Sequence, residues 1–186
     1  METLNDIALV TQVAVLHNKR AFDQLVRKYQ SAVRRFLLNL TLGDEALSDD
    51  LAQDTFLKAY THIAQFHAVS SFQTWLFRIA YNVFYDYKRS AKFTVQSSQL
   101  PADNIKGAAN CEMGAVNFEL KNDIYKAMSL LKEEERTCIT LQLIDGQPID
   151  QIARITGMGE NTVKSHLRRG KEKLATFLKN NGYDRR

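Results

Sequence analysis

The stretch IARITGMGENTVKSHLRRGKEK, from Ile152 to Lys173, decides the fold of the C-terminal part of the chain. A short apolar helical pattern is followed by a turn with glycines and then by a basic helical pattern. Pro148 near the start of the first helix and Gly157 at its end are typical helix boundaries. Two helices joined by a short glycine-containing turn form a helix-turn-helix, whose second helix can enter the major groove of DNA.

The second helix of this motif has two different sides. At 100° per residue, Val163, Leu167, Gly170, Leu174 and Leu178 share an apolar side, and Asn161, Ser165, Arg168 and Glu172 lie opposite. The candidate DNA-contacting residues are Asn161, Thr162, Lys164, Ser165, Arg168 and Arg169. Arginine suits guanine and asparagine suits adenine, whereas lysine and serine can bind phosphates. The alternative is a solvated basic helix within a bundle.

The composition favours helices and more than one partner. The 186 residues include only 2 prolines and 8 glycines, and 45% are hydrophobic. Eight Lys or Arg residues oppose three acids between Glu160 and Arg186, whereas five acids and no base lie between Asp44 and Asp54. A basic segment and an acidic segment in one chain indicate two different kinds of partner.

The expected cellular compartment is based on the cysteines and on the absence of signal-peptide and membrane-helix patterns in the sequence. Cys111 and Cys138 form no CxxC pair and are interpreted as reduced thiols. We find no signal-peptide pattern, and no apolar run approaches the ~20 residues of a membrane helix. A cytoplasmic protein is expected.

Helical spacing predicts an all-α chain with two small domains. Helices are expected at 6–15, 20–40 and, after a break at TLGD (Thr41–Asp44), from an N-cap at Ser48. An apolar stripe then comprises Ala52, Phe56, Ala59, Tyr60 and Ile63. After the loop His67–Ser71, a further helix spans Phe72–Arg89. The predicted domains are 1–92 and 118–186, joined by a flexible linker at 93–117 that contains Pro101.

One face of the third predicted helix is acidic. Asp50, Gln53, Asp54 and Leu57 follow i, i+3, i+4, i+7 spacing, away from the stripe that contains Phe56. Acids with one apolar contact suit a basic protein surface. Capping of the helix start does not explain Asp54, which lies beyond the first turn.

The fourth predicted helix carries cations and aromatic rings. Arg78, Asn82, Tyr85 and Arg89 form an outward stripe with Lys88 beside it. Cations follow phosphates and rings stack on bases, so this stripe suits single-stranded DNA. Phe72, Trp75 and Phe77 could supply stacking or wedging, although Trp75 is interpreted as a core residue.

Three stretches, in this order, resemble a bacterial sigma factor of the extracytoplasmic-function group in the sigma-70 family. They are SDDLAQDTFLKAY, FQTWLFRIAYNVFYDYKR and LIDGQPIDQIARITGMGENTVKSHLRRGKEKL. The resemblance implies a region 2-like domain, which binds core RNA polymerase and melts the −10 element, and a region 4-like helix-turn-helix, which recognises the −35 element. It also implies that the linker lies near the RNA exit path.

The resemblance implies roles for particular residues and partners. The acidic face Asp50, Gln53, Asp54 and Leu57 corresponds to the contact with the clamp coiled coil of the largest polymerase subunit, and the polymerase flap is a second contact. The −10 residues are His67, Phe72, Arg78, Asn82, Tyr85, Lys88 and Arg89. Promoter DNA and an anti-sigma factor, which can be membrane-anchored, are further partners.

Two other classes of protein compete with this interpretation. A helix-turn-helix regulator of the response-regulator type would bind duplex DNA without being a polymerase subunit, but its partner domain is commonly an α/β receiver. An enzyme is disfavoured because GxxxxGK[ST], GxGxxG and HExxH are absent and the four histidines are scattered. We therefore expect no catalytic residue, cofactor, metal or small-molecule substrate.

Overall fold

The computed structural model describes residues 2–97 and 115–183, with side chains described for 5–91 and 122–183. Within these ranges every regular element is a helix, as the sequence predicts. The chain divides into two compact units, the first comprising residues 1–37 and 46–105 and the second residues 38–45 and 106–186. Pro101, Cys111 and most of the predicted linker lie outside the described residues.

The first unit is built on four helices. They are α1 (Glu2–Leu16), α2 (Lys19–Leu40), α3 (Glu45–His62) and α4 (Phe72–Ser97), with a 3₁₀ turn at Ile63–Gln65. The last three residues of α2 and the first residue of α3, however, belong to the second unit. The start of α2 is capped by Asn18, whose side-chain oxygen accepts hydrogen bonds from the N–H groups of Arg20 and Ala21 (3.1 and 3.4 Å). The break that the sequence predicts at Thr41–Asp44 is confirmed.

Aromatic rings form the centre of the first unit. Phe36 and Phe77 are completely buried, and their ring centroids lie 5.3 Å apart in a tilted arrangement. Asp6 of α1, which is 4% exposed, links α1 to α2 through hydrogen bonds. Its carboxylate accepts hydrogen bonds from the Tyr29 hydroxyl (2.5 Å) and from the Lys28 ammonium (2.7 Å).

Helix α3 corrects two details of the sequence prediction. It begins at Glu45, so Ser48 lies inside the helix, completely buried, and the prediction of Ser48 as N-cap is wrong. The buried face consists of Ser48, Leu51, Thr55 and Ala59, whereas Ala52, Phe56 and Tyr60 of the predicted stripe are half-buried. Thr55 can be buried because its hydroxyl donates to the carbonyl oxygen of Leu51 (2.7 Å).

The second unit contains the predicted helix-turn-helix. Its elements are α5 (Ala115–Ser129), α6 (Glu133–Ile139), a π-helical turn (Thr140–Ile144), α7 (Ile149–Thr156) and α8 (Glu160–Asn180). Gly157 ends α7 in the left-handed region (φ +75°), which glycine adopts without strain, and Gly159 is the N-cap of α8. Ile152 and Ile155 of α7 are buried, as are Val163 and Leu167 of α8.

An ion pair between a buried glutamate and a half-buried lysine joins α6 to α8. Glu135 is 1% exposed and accepts hydrogen bonds from the Lys173 ammonium (2.7 Å) and from the backbone N–H of Lys132 (3.1 Å). Burial raises the pKa of Glu135, but these two hydrogen bonds and the positive charges of Lys173 and Lys132 together outweigh it, and the pKa lies below its ordinary value. The adjacent Arg136 donates to the carbonyl oxygens of Met128 (2.9 Å) and Leu131 (3.2 Å).

Several sequence expectations concern the helix ends and the thiols. Helix α4 runs to Ser97, eight residues beyond the predicted end at Arg89, and α5 begins at Ala115. The domain limits at 92 and 118 stay predictions. Cys138 is buried, and burial raises the pKa of its thiol to about 12. In the part of the chain that the structure describes, no helix is long and apolar enough to cross a membrane.

Candidate nucleic-acid and protein interfaces

The acidic face of α3 is open to solvent. Asp50, Gln53 and Asp54 are exposed, and Leu57 is 63% exposed although it is apolar. Helical spacing places these four side chains on one side of α3, as the sequence predicts. The face thus presents three polar or acidic side chains and one apolar side chain to solvent.

A groove between α2 and α3 borders the acidic face. It has a volume of about 590 Å³, and its lining includes Gln30, Arg34, Asp49 and Gln53. The Arg34 guanidinium donates two hydrogen bonds to the Asp49 carboxylate, from Nε (2.6 Å) and from Nη2 (3.2 Å). This bidentate pair fixes α3 against α2 and therefore orients the acidic face.

A second cleft lies between α3 and α4. It has a volume of about 640 Å³ and is lined by Lys58, His62, Gln65, Trp75, Arg78, Ile79, Asn82 and Asp86. Arg78 and Asn82 belong to the stripe that the sequence predicts for single-stranded DNA, and both are exposed. The cleft therefore combines hydrogen-bond donors, a cation and an indole ring within one concave surface.

Ion pairs organise one end of this cleft. Asp86 forms an ion pair with Lys58 of α3 (3.7 Å) and accepts a hydrogen bond from Arg89 of α4. Tyr85 is half-buried with its ring centroid 4.4 Å from that of Tyr81, and the Lys88 ammonium lies over the Phe84 ring at 5.9 Å. Pairs of this kind at a surface contribute little to stability, and Lys58 and Arg89 each keep further N–H donors that could bind an anion.

The three aromatic residues at the start of α4 have different positions. Phe72 and Phe77 are buried (3% and 0% exposed), so both rings support the core and present no face to a base. Trp75 is half-buried, packs against Phe66 and Phe72 with centroid distances of 5.7 and 5.5 Å, and lines the cleft. The ring available for stacking in the cleft is thus Trp75, the one that the sequence interpretation assigned to the core.

The loop before α4 is shaped by a local cap. The Ser71 hydroxyl oxygen accepts a hydrogen bond from the backbone N–H of Thr74 (3.1 Å), which starts α4 at Phe72. Ala68 has a φ of +54°, and the predicted −10 residue His67 beside it is exposed. The first three side chains of the loop, His67, Ala68 and Val69, are exposed, whereas Ser71 at its end is fixed to α4.

Sequence reasoning missed the α3 side of the cleft. Lys58, His62 and Gln65 are spaced by four and three residues, so they share one side at the end of α3 and the following turn. This spacing was visible in the sequence. Nothing in a single helical pattern, however, shows that this side faces Arg78 and Asn82 of another helix.

The predicted DNA-contacting side of α8 is exposed in the second unit. Asn161, Thr162, Lys164, Arg168 and Arg169 are exposed, and Ser165 is half-buried. Ser165 donates its hydroxyl to the carbonyl oxygen of Asn161 (2.9 Å), which leaves the hydroxyl oxygen as an acceptor. Lys164 lies 3.8 Å from Glu160, and Arg168 Nη1 lies 2.7 Å from Glu172 Oε1. A helix with one buried side and one basic exposed side can lie in the major groove.

Comparison with known proteins identifies the family. Residues 25–94 match Sigma-70 region 2, and residues 121–174 match Sigma-70, region 4. The ECF RNA polymerase sigma-E factor of Haemophilus influenzae is 31% identical over 187 residues, which cover 93% of this chain and 95% of that protein. The chain belongs to the extracytoplasmic-function group of the sigma-70 family. The sigma-E factor of Escherichia coli K12 is 30% identical over 182 residues, covering 93% and 94% of the two chains.

Solved structures support the same assignment. The sigma factor RpoE in complex with the anti-sigma factor NepR from Bartonella quintana has a TM-score of 0.70 at 28% identity, covering 85% of this chain and 96% of that one. CnrH in complex with the cytosolic domain of CnrY has a TM-score of 0.66 at 26% identity, covering 94% and 97%.

The family defines the function of this sigma factor. It binds core RNA polymerase, recognises the −35 and −10 promoter elements and directs melting of the DNA for initiation. The region 2 match contains the acidic face and the α3–α4 cleft, and the region 4 match contains the larger part of the helix-turn-helix. A response-regulator type of protein is not favoured, because a region 2 match occupies the place of a receiver domain.

Proposed function

We propose that the first unit divides its surface between protein and DNA. The acidic face Asp50, Gln53, Asp54 and Leu57 binds the clamp coiled coil of the largest polymerase subunit. Its exposure and the neighbouring α2–α3 groove support this assignment, because a helix of a basic partner can place cations on the acids and an apolar side chain on Leu57. The Arg34–Asp49 pair holds the face in position without belonging to it.

The α3–α4 cleft receives an unstacked base of the −10 element in this proposal. The observation that carries it is the grouping of Trp75, Arg78 and Asn82 on one concave surface. The indole offers a stacking surface, the Asn82 amide can pair with a base edge, and Arg78 can bind phosphate. His67, Tyr85, Lys88 and Arg89 extend this surface along the strand, and Phe72 supports it from the core.

Helix α8 recognises the −35 element as duplex DNA. Arg168 and Asn161 are the proposed base readers, and Lys164, Ser165, Thr162 and Arg169 position the helix on the backbone. The two units are weak readers on their own. When both are held on one polymerase, the second binding step becomes intramolecular and gains effective concentration.

Two further partners and a location complete the proposal. The polymerase flap binds the second unit, and an anti-sigma factor sequesters the chain, a proposal supported by the complex of the similar sigma factor RpoE with the anti-sigma factor NepR. The protein acts in the cytoplasm, where polymerase and promoter DNA are found. Its mechanism consists of binding and strand separation without covalent chemistry, and it uses no cofactor.

The test is run-off transcription with purified core polymerase on a genomic promoter library. We expect specific transcripts only when both the chain and core polymerase are present, and co-elution of the two in size-exclusion chromatography. Tight binding to duplex promoter DNA by the chain alone, as a dimer and without any effect on core polymerase, would instead favour a regulator that is not a polymerase subunit.

A further inference from the structure

An acid lies on the DNA-facing side of the recognition helix, where a positive charge would favour binding to DNA. Glu172 shares the face of Asn161, Ser165 and Arg168 on α8 and is 60% exposed at its side chain. Its carboxylate repels DNA phosphates, so a solvated acid at this position would only weaken binding. We therefore expect Glu172 to have a role other than direct contact with DNA.

Glu172 is in hydrogen-bond contact with the proposed base reader. Arg168 Nη1 donates to Glu172 Oε1 at 2.7 Å, one helical turn along α8. The other acid–base pair on the helix, Glu160 with Lys164, is at 3.8 Å and is an ion pair without hydrogen-bond geometry. Of these two pairs, only the one with Arg168 constrains the direction of the cation.

The contact leaves Arg168 able to read a base. A guanidinium has five N–H donors in a planar fork, and the bond to Glu172 uses one donor on Nη1. Guanine O6 and N7 need two donors from the same fork, and the donors on Nη2 and Nε remain available. Because the fork is planar, a carboxylate bound on one side also restricts the orientation of the plane that meets the base. Holding a long side chain in one geometry lowers the entropy lost on binding.

We propose that Glu172 is a positioning residue for promoter reading, which holds the Arg168 guanidinium in the orientation that selects guanine in the −35 element. The inference rests on the proposed role of Arg168. Glu172 then trades affinity for specificity, since its charge opposes DNA while its hydrogen bond orders the reader. Removal of the Glu172 carboxylate is expected to raise the affinity for DNA and to lower the preference for guanine. Removal of a solvated acid without a partner would raise the affinity and leave the preference unchanged.

The experiment uses holoenzyme assembled from the full chain and core polymerase, on a promoter library randomised across the −35 element. Four variants are compared with the parent: Glu172→Ala, Glu172→Gln, Arg168→Ala and the control Glu160→Gln. The control removes an acid from the same helix, on the turn that starts it. Preference at each position and total affinity as a function of salt are measured separately.

We expect Arg168→Ala to flatten the preference at one position. Glu172→Ala is expected to lower the guanine preference at that same position by about threefold to tenfold, a fraction of what a complete bidentate pair contributes, while total affinity rises. Glu172→Gln retains a side-chain acceptor and should keep part of the preference. Glu160→Gln should raise total affinity with an unchanged preference profile.

Each contrary result has a distinct meaning. An unchanged profile for Glu172→Ala, with a flattened profile for Arg168→Ala, would overturn the role of Glu172 and keep that of Arg168. An unchanged profile for Arg168→Ala would overturn both roles. A lower total affinity together with lost helicity in Glu172→Ala would show that Glu172 supports the helix rather than the reader, and would also overturn the proposal.

Discussion

A Cβ atom added to Gly170 would lie 2.8 Å from Cγ1 of Ile139. At this point α8 lies so close to α6 that a residue with a Cβ atom would require Ile139 to shift. The Glu135–Lys173 pair joins the same two helices less than one turn away along α8. The recognition helix is thus held on α6 by one close apolar contact and one ion pair.

Gly170→Ala should destabilise the second unit although alanine is the better helix former. Alanine in a helix interior gains about 1 kcal/mol over glycine, but overpacking of a core contact costs about 1–3 kcal/mol. We expect a net loss of about 1 kcal/mol in the free energy of unfolding, measured by denaturant titration followed by circular dichroism. In an Ile139→Ala background the cost of Gly170→Ala should shrink, and an equal cost in both backgrounds would contradict the close contact as its cause.

The pKa of Glu135 predicts an acid-sensitive second unit. Because the folded-state pKa lies below its ordinary value, the carboxylate contributes stability that is present above the unfolded-state pKa and is lost as the pH falls through the folded-state pKa. Glu135→Gln should lower the free energy of unfolding at pH 7 by about 1 kcal/mol, since the amide oxygen still accepts from Lys173 but the hydrogen bond loses the negative charge of its acceptor. In this variant the free energy of unfolding should also fall less on acidification than it does in the parent protein.

This prediction is checked by denaturant titrations between pH 7 and pH 3. Glu134→Gln, a neighbouring change in α6, is the matched control. Tryptophan fluorescence adds a probe confined to the first unit, since Trp75 is the only tryptophan of the chain. Identical pH profiles for Glu135→Gln and the parent protein would show that the Glu135–Lys173 pair does not couple stability to protonation.

The sequence predicted those parts of the fold that depend on local pattern. The helix-turn-helix could be predicted because helix boundaries and hydrophobic spacing depend only on neighbouring residues. The boundaries are marked by Pro148 and Gly157, and the spacing is marked by the buried Val163 and Leu167. The core face of α3 differs from the predicted stripe because a hydrophobic pattern gives no weight to the buried Ser48 and Thr55. Thr55 can lie in the core because its hydroxyl donates to the carbonyl oxygen of Leu51 within the helix.

The interfaces were predicted only as faces of single helices. The exposed acids of α3 and the exposed cations of α8 follow from helical spacing, and the structure places them as expected. The cleft is different, because Lys58 and His62 meet Arg78 only through the packing of α3 on α4. For the same reason Glu135 and Lys173, which are 38 residues apart, gave no signal in the sequence.

Charge reversal on the acidic face should abolish binding to core polymerase. Asp50→Lys and Asp54→Lys each place a like charge against a basic clamp, which can cost several kcal/mol. Both acids are exposed, so the helical fold should be retained. Affinity is measured by fluorescence anisotropy with labelled chain and core polymerase, together with circular dichroism.

A control separates this face from general charge effects. Asp23→Lys changes an exposed acid of α2 by the same amount of charge, and it should bind core polymerase with near-normal affinity. If Asp50→Lys and Asp54→Lys bind as tightly as Asp23→Lys, the acidic face lies outside the interface.

Removal of the polar groups from the α3–α4 cleft should impair strand capture. Arg78→Ala combined with Asn82→Ala should weaken open-complex formation more than binding to duplex −35 DNA, because the cleft is proposed to act on unstacked bases. Pre-melted promoter DNA should rescue the defect only in part. Permanganate footprinting of holoenzyme on a supercoiled promoter measures the melting directly.

The matched control for the cleft lies on α2. Gln24→Ala combined with Arg27→Ala removes an exposed amide and an exposed cation outside the cleft. This control should melt promoters normally. Normal melting by the Arg78 and Asn82 variant as well would assign these two side chains to a solvated face.

Lys164 and Arg168 should affect −35 binding in different ways although both are exposed cations of α8. Lys164 lies at the edge of the groove-facing side, 3.8 Å from Glu160, and is expected to meet a phosphate. Lys164→Ala should therefore weaken binding to all sequences evenly and reduce the slope of log affinity against log salt by about 0.9, the effect of one phosphate contact. Lys179→Ala, near the end of α8, is the control and should leave the slope unchanged.

Titrations of holoenzyme with promoter fragments at several salt concentrations measure the slopes for both variants. A changed base preference with an unchanged slope would make Lys164 a base reader instead of a phosphate contact.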